Sequence, residues 1–140
     1  MAAIRPINLM PRSTRAWLAG FIDGDGTISI QRIKNRGLSE FCGIVEASQK
    51  DRAILDWIKE QVGFGSVVRR ASSTSRFGEA FAWVVKYRQA YEVASALLPY
   101  LHIKQEQARN VVRLQELKDT HNHVRLGFGP IKPHSQHLVD

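Results

Sequence analysis

The sequence predicts an α+β fold in which helices cover one face of a four-stranded antiparallel sheet. Two pairs of alternating segments, each pair surrounding a polar or glycine-containing turn, indicate two β-hairpins. Amphipathic segments precede, separate and follow these hairpins, so the order is helix, hairpin, helix, hairpin, helix, helix. Two hairpins can join into one sheet, and helices on one side then bury that face and leave the other open.

The first half of the chain is predicted to hold two helices and the first hairpin. Ser13 is a residue type that caps helix starts, and Asp51 is expected to cap the second helix, which Gly63 ends. Asn-Arg-Gly at 35–37 predicts the hairpin turn. The predicted elements are a helix from about residue 14 to residue 22 or 23, strands at 27–31 and 41–48, and a helix at about 52–62.

The second half is predicted to hold the other hairpin and two more helices. Its hairpin loop, 72–78, is polar and contains glycine. Pro99 is expected to stop the third helix, and Val111, Leu114 and Leu117 lie on the apolar side of the last one. The predicted elements are strands at 65–71 and 79–87 and helices at about 89–98 and 104–117.

The ends of the chain are predicted to lie outside the folded domain. Residues 1–12 contain Pro6 and Pro11 and are expected to form a flexible basic arm. Residues 13–118 form the domain, and residues 119–140 form a loosely structured tail. Four of the five histidines lie in this tail, but their spacing matches no zinc pattern, so we expect no metal site there.

The composition predicts a basic globular protein. The chain has 140 residues, of which 44% are hydrophobic and 24% charged. No apolar run approaches the roughly 20 residues that a membrane span needs, so we expect an intracellular protein without a membrane partner. The single cysteine, Cys42, excludes an internal disulfide. A net charge of +7 favours a polyanionic partner, although charge alone does not separate DNA from RNA.

Polar and basic residues concentrate in and beside the four predicted strands. The segment 65–88 alone carries five basic residues against one acid. Cations suit phosphates and polar side chains suit base edges, so the open face of the sheet is predicted to bind a DNA groove. The predicted contacts are Ser29, Gln31, Arg32, Lys34, Arg36, Glu46, Ser48, Arg69, Arg70, Ser72, Arg76, Lys86 and Arg88.

Small residues form a line along the first predicted helix. Ala16, Gly20 and Gly24 are spaced four residues apart, which places them on one helix face. Glycine inside a helix costs about 1 kcal/mol relative to alanine. Close packing against a second helix backbone would explain why glycine is used there.

Two carboxylates stand at the end of the same helix. Asp23 and Asp25 alternate with Gly24 and Gly26 just before the first strand. A carboxylate at a helix C-terminus faces the negative end of the helix dipole, which is unfavourable. A bound cation would reverse this effect, and oxygen ligands of this kind suit Mg²⁺.

The nine residues at 18–26, Leu-Ala-Gly-Phe-Ile-Asp-Gly-Asp-Gly, resemble the signature of the LAGLIDADG homing endonucleases. They differ from it at Phe21 and Gly24, and the resemblance in element order, length and basic sheet extends over about 13–117. It implies an αββαββα fold in an intron-encoded nuclease. Such an enzyme hydrolyses both strands of a long, pseudo-palindromic DNA site with Mg²⁺ or another divalent cation such as Mn²⁺. Because the chain has one signature, the resemblance also implies a homodimer.

The resemblance assigns roles to individual residues. It implies that the Asp25 carboxylate and the Gly24 carbonyl bind the metal. Gln49 corresponds to a glutamine near the attacking water, and Lys104 to a basic residue near the scissile phosphate, so Asp25, Gln49 and Lys104 are the predicted catalytic set. The predicted contacts between the two subunits are Ala16, Gly20, Asp23 and Gly24.

Two other functions are compatible with the same residues. An intron maturase of this fold would bind RNA, and comparing the affinities for duplex DNA and structured intron RNA would distinguish it. A non-catalytic DNA-binding regulator would keep the fold alone. Regulators of this kind usually carry a separate helix-turn-helix domain, for which residues 119–140 are too short.

Overall fold

A computed structural model describes residues 10–70 and 79–123 and confirms the predicted order of elements. The helices in these residues are α1 (Arg12–Asp25), α2 (Arg52–Val62), α3 (Arg88–Leu97) and α4 (Gln105–His123). The strands are β1 (Gly26–Asn35), β2 (Leu38–Gln49), β3 (Ser66–Arg70) and β4 (Ala80–Lys86). They form one antiparallel sheet in the order β1-β2-β4-β3, so the two hairpins join through β2 and β4.

Helix α2 has the bounds and both end signals that the sequence predicts. The Asp51 carboxylate accepts a hydrogen bond of 2.9 Å from the Ala53 N–H, which satisfies one of the free donors of the first turn. Gly63 ends the helix in the left-handed conformation, with φ of 96°.

Helix α1 is longer than predicted at both ends. It begins after Pro11, and Ser13, the predicted cap, lies within the first turn instead. At the other end the helix continues through Gly24 to Asp25. The chain becomes extended only at Gly26, so the glycine that ends the helix is the one after Asp25.

Helix α4 also extends beyond its predicted end at Leu117 and reaches His123. Asp119, which the prediction placed in the tail, forms an ion pair with Arg88 on α3. This contact between two helices gives the first residues of the predicted tail a place in the fold. The rest of that tail, 124–140, and residues 1–9 of the predicted arm lie outside the described residues.

The main core lies between the sheet and the helices. Trp83 of β4 is fully buried there, and its indole N–H donates a hydrogen bond of 3.2 Å to the Phe64 carbonyl. Gly65 has a φ of 106°, and a Cβ atom at this position would collide with the Trp83 ring, so glycine is required. None of the described helices has both the length and the apolar character needed to span a membrane.

A second, smaller apolar cluster lies on the opposite face of the sheet. Its buried members are Cys42 and Ile44 of β2 and Ala82 and Val84 of β4, with Ile33 packed against them. The prediction of one buried and one open face did not include this cluster. The signal was present, because the central strands are apolar over several consecutive residues, which is typical of strands covered on both faces.

Candidate active site

The C-terminal end of α1 is held directly against β2. Gly26 pairs with Ala47 in the β1–β2 ladder, and its N–H donates to the Ile22 carbonyl. A Cβ atom at Gly26 would lie 2.8 Å from both the Glu46 carbonyl oxygen and the Ile22 Cα. A larger residue would therefore push the helix away from the strand. The close approach places Asp25, with an exposed side chain, at this end of the sheet.

The structure brings Asp25 together with Gln49, the last residue of β2. The Gln49 Nε2 amide donates a hydrogen bond of 2.8 Å to the Asp25 Oδ2 atom. Two predicted site residues that are 24 positions apart in the chain therefore meet. The hydrogen bond orients the carboxylate and leaves its other oxygen available to a ligand.

Asp23, which the sequence predicts at the subunit contact, has its side chain turned into the chain's own interior. It is the buried charged residue of the described part of the chain, with 8% of its surface exposed. Its carboxylate accepts backbone hydrogen bonds from His102 at 2.7 Å, Ile103 at 3.2 Å and Lys104 at 3.0 Å. These N–H groups immediately precede α4, so Asp23 anchors the start of that helix.

The Asp23 carboxylate stays ionised despite its burial. Burial acts to raise its pKa, but the backbone N–H donors of His102, Lys104 and Ile103 and the nearby Lys104 charge outweigh burial. The pKa of Asp23 therefore lies below its ordinary value. A buried carboxylate is tolerated here because backbone donors replace the water that it loses.

Lys104 approaches the end of α1 with its side chain as well. The half-buried ammonium donates a hydrogen bond of 2.7 Å from Nζ to the carbonyl oxygen of Asp23. This carbonyl belongs to the last turn of α1, where the helix dipole is negative and a cation is favourable. The ammonium is thus bound to the residue that directly precedes Gly24 and Asp25 in the chain. A catalytic lysine would have to lie near these predicted metal ligands.

The oxygen atoms at the end of α1 suit a divalent cation. The Gly24 carbonyl lies in the last turn, where intrahelical hydrogen bonds end, and the Asp25 carboxylate adds a charged oxygen donor. The described residues contain no group of three or more His, Cys, Asp or Glu side chains placed to bind a metal. A divalent cation held by these two oxygens would take its other ligands from water and from substrate phosphates.

The glycines in the line of small residues on α1 are not covered by other parts of the chain that the structure describes. Ala16, Gly20 and Gly24 are all exposed. A Cβ atom built on Gly20 or Gly24 would find no other atom within 4 Å. Nothing inside the described chain therefore explains why these positions are glycine, and the destabilising effect of glycine in a helix is not offset there.

The register of the sheet decides which predicted DNA contacts share its open face. Ile28 and Val45 are opposite each other in the ladder and pack into the main core, so alternate residues in each strand face away from the helices. Glu46 and Val84 are opposite each other on the other face. The predicted contacts on this open face are Ser29, Gln31, Glu46, Ser48, Arg70 and Lys86.

Three of the predicted strand contacts lie on the other face. Arg32 and Lys34 have the same parity as Ile28 and therefore lie on the helix side of β1. Arg69 likewise lies on the helix side of β3, where it forms an ion pair with Glu79. Their assignment to the open face was wrong, because adjacent residues of a strand point to opposite faces.

Two of the remaining predicted contacts are described and lie outside the strands, and two are not described. Arg88 begins α3 and forms its ion pair with Asp119, which directs it toward α4 and not toward the open face. Arg36 occupies the turn between β1 and β2 with a φ of 53°. Ser72 and Arg76 lie outside the described residues.

One ion pair crosses the open face. The Arg70 guanidinium on β3 lies 2.9 Å from the Glu46 carboxylate on β2. Strand β4 runs between them, and its residue at this point of the open face is the small Ala82. Both partners are partly exposed, so the pair adds little to stability. Its effect is to orient the arginine. Arg70 and Lys86 also line a groove of about 650 Å³ along β3 and β4, and Arg69 contributes to its edge.

Tyr87, which sequence reasoning missed, connects β2 to the helices. Its hydroxyl donates a hydrogen bond of 2.6 Å to the Glu40 carboxylate, and its N–H donates to the Gly43 carbonyl. The Lys118 ammonium of α4 lies 5.1 Å from the centre of its ring. Tyr87 adopts a positive φ of 56°, which is unusual for a residue with a bulky side chain. No local sequence signal indicated this conformation.

Comparisons with known proteins agree with the signature. A protein-family model described as LAGLIDADG endonuclease matches residues 18–102. The DNA endonuclease I-CvuI of Chlorella vulgaris is 28% identical over 117 residues, which span 79% of this chain and 69% of that relative.

Solved structures show the same fold. The homing endonuclease I-CvuI, crystallised in complex with its target in the presence of calcium, aligns with a TM-score of 0.63 at 26% identity. The alignment covers 81% of this chain and 71% of that chain. The homing endonuclease I-TnaI aligns with a TM-score of 0.63 over 89% of this chain and 92% of its own, and its 14% identity indicates similarity of fold alone.

The hydrogen bond between Tyr87 and Glu40 predicts a pH dependence. This bond, followed by partial burial, raises the pKa of Tyr87 from 10.0 to about 12. The neutral phenol is thus favoured in the folded chain, and its contribution to stability should be complete below pH 10.0 and disappear as the pH rises to about 12. Glu40→Gln should lower the pKa toward 10.0, which the near-ultraviolet absorbance of tyrosinate would measure. The absorbance change that is lost in Tyr87→Phe identifies the titration of Tyr87. An unchanged titration in Glu40→Gln would show that Glu40 does not raise the pKa of Tyr87.

Proposed function

This chain belongs to the LAGLIDADG endonuclease family, as the signature at 18–26 predicts, and we propose that it is a site-specific homing endonuclease. It would hydrolyse both strands of a long, pseudo-palindromic DNA duplex. The observation that carries the proposal is the meeting of Asp25 with Gln49 at the exposed end of α1, beside the Lys104 ammonium. The DNA endonuclease I-CvuI, a relative by sequence and structure, supports duplex DNA as the substrate.

The proposed active form is a homodimer. One chain carries one signature and one Asp25, and a twofold dimer would supply one such carboxylate for each of the two antiparallel strands. The uncovered glycines of α1 support pairing through this helix, since a second backbone could approach them closely. Pairing along α1 would place both Asp25 residues near the twofold axis, between the two sheets.

The proposed cofactor is a divalent cation, Mg²⁺ or an alternative such as Mn²⁺, held by Asp25 and the Gly24 carbonyl. When bound, such an ion polarises a phosphate and promotes ionisation of a water molecule. Gln49 holds the Asp25 carboxylate in one orientation and carries an amide that could also position water. The Lys104 ammonium offers positive charge to the phosphate as the P–O bond to the leaving sugar oxygen breaks.

The open face of the sheet is the proposed DNA-reading surface. Its polar and basic residues supply both kinds of contact, to base edges and to phosphates. Arg70 pairs with Ala80 at the end of the sheet where Gly26 and Gln49 also lie, so it would contact bases near the cut. Lys86 lies farther from that end, opposite Ile44.

Asp25→Asn should abolish cleavage while duplex binding remains measurable. The amide keeps the shape of the side chain but removes the negative charge that a divalent cation requires. Cleavage and gel-shift assays would use a duplex selected by binding from a random library. Asp56→Asn, the same change at an exposed position on α2, is the control and should still cleave. Cleavage by Asp25→Asn would refute the assignment, and structured RNA bound more tightly than any duplex would favour the maturase alternative.

Gly20→Leu should prevent dimer formation and leave the monomer folded. A Cβ atom at Gly20 would have no neighbour within 4 Å from other parts of the described chain, and leucine raises helix stability by nearly 1 kcal/mol relative to glycine. Sedimentation equilibrium would measure association, and thermal unfolding would measure the fold. Asn110→Leu, which adds the same side chain to an exposed position on α4, should remain dimeric. An intact dimer of Gly20→Leu would show that α1 is not the interface.

Arg70→Gln and Arg69→Gln should differ although the residues are adjacent. Arg70 is on the open face, so its loss should relax discrimination at one base pair per half-site by about 1–3 kcal/mol. Arg69 is on the helix side, so its loss should leave the base preference unchanged. Affinities for single base-pair variants of the selected site would measure the difference. Equal losses of discrimination would contradict the proposed reading face.

A further inference from the structure

Asp23 makes the densest set of polar contacts among the described residues, and none of the roles proposed above uses it. It precedes the proposed metal ligands, yet its carboxylate points away from the exposed end of α1 and into the chain's interior. Three backbone donors and one ammonium group meet this single residue. The partners come from positions about 80 residues further along the chain, so the contacts join two parts of the fold that no strand pairing connects.

The contacts hold Lys104 at two points. Its backbone N–H donates to the Asp23 carboxylate at 3.0 Å, and its side-chain Nζ donates to the Asp23 carbonyl at 2.7 Å. The carboxylate also holds the two preceding residues, His102 and Ile103, through their N–H groups. A lysine side chain is long and flexible, so anchoring its backbone beside its ammonium restricts the positions that the charge can reach.

We propose that Asp23 is a positioning residue for DNA cleavage, which it supports by fixing the Lys104 ammonium beside Gly24 and Asp25. This inference rests on the proposed endonuclease function. Asp23 touches neither the substrate nor the metal, and it acts through Lys104. The anchor lies within one chain, so each subunit positions its own Lys104 through its own Asp23. Displacement of a catalytic group by about 1 Å is enough to reduce a rate by about 100-fold.

A residue that only caps and stabilises α4 would make the same contacts. The test must therefore separate an effect on the position of the Lys104 ammonium from an effect on the stability of the fold. Asp23→Ala removes all three carboxylate contacts. Asp23→Asn keeps one oxygen acceptor, which can still receive the N–H groups of Ile103 and Lys104. Val62→Ala is the control for stability, because Val62 is fully buried in α2 and makes no contact with the Asp23 carboxylate. Its loss should lower the unfolding temperature without changing the cleavage rate of the folded protein.

The experiment is a double-mutant cycle with Lys104→Gln on the full chain, using a selected duplex. The readouts are the single-turnover cleavage rate at saturating protein, the gel-shift affinity without divalent cation, and the unfolding temperature. Asp23→Ala should reduce the cleavage rate by about 100-fold with little change in affinity, and Asp23→Asn should recover part of that loss. In the Lys104→Gln background, either Asp23 variant should cost almost nothing further, since residues that act as a unit are not additive.

Three results would overturn the inference. The first is an Asp23 variant that cleaves at the wild-type rate when folded. The second is a loss that persists in full in the Lys104→Gln background, which would mean that Asp23 acts through Asp25 or through the fold in general. The third is a slowing by Val62→Ala equal to that by Asp23→Ala. If Asp23→Ala does not fold, the cycle with Asp23→Asn decides the question. A wild-type chain that cleaves no selected duplex would instead refute the endonuclease function itself.

Discussion

The end of α1 must touch two other parts of the chain at once, and the geometry of the candidate site depends on that contact. On one side Gly26 brings the helix so close to β2 that no Cβ atom fits. On the other side the Asp23 carboxylate holds the backbone that leads into α4. Between these two attachments, Asp25 is left exposed with its orientation set by Gln49. A change in either attachment would move the carboxylate relative to the sheet.

The two carboxylates at the end of α1 are stabilised to different degrees. Two carboxylates and the negative end of the helix dipole gather where α1 stops, which is unfavourable in isolation. Asp23 is stabilised by backbone donors and a lysine, whereas Asp25 receives one amide hydrogen bond. Of the two carboxylates, Asp25 is therefore the one that remains exposed. An exposed carboxylate oxygen is a ligand that a divalent cation can use.

The type and order of the elements could be predicted from periodicity, and the site from nine residues of signature. Asp25, Gln49 and Lys104 could be named because the signature carried a family pattern with it, and the structure places all three at one helix end. The faces of the basic residues could not be predicted as readily. The face on which a strand residue lies depends on the register of its strand and alternates along the chain. The prediction placed Arg32, Lys34 and Arg69 on the same face as Arg70 and did not take this alternation into account.

Asp23 and Tyr87 illustrate what local patterns do not contain. The role of Asp23 depends on partners about 80 residues away in the chain, and its spacing beside Asp25 suggested an outward carboxylate. Tyr87 has an unfavourable backbone conformation that only its contacts with Glu40, Gly43 and Lys118 account for. The longer C-terminal end of α1 has a similar origin, because the contacts of Asp23 and Gly26 with distant parts of the chain, and not residue preference, hold its last turn.

Asp25, Gln49 and Lys104 come together within a single chain, and this has a consequence for how such proteins could change over time. Two copies joined by a linker would retain both centres without any exchange of side chains between the halves. Each half could then accumulate substitutions on its own sheet, at positions such as Ser48 and Arg70, while the helix ends stay as they are. Recognition of the left and right arms of a target would become independent, and the symmetry of the target would no longer be required.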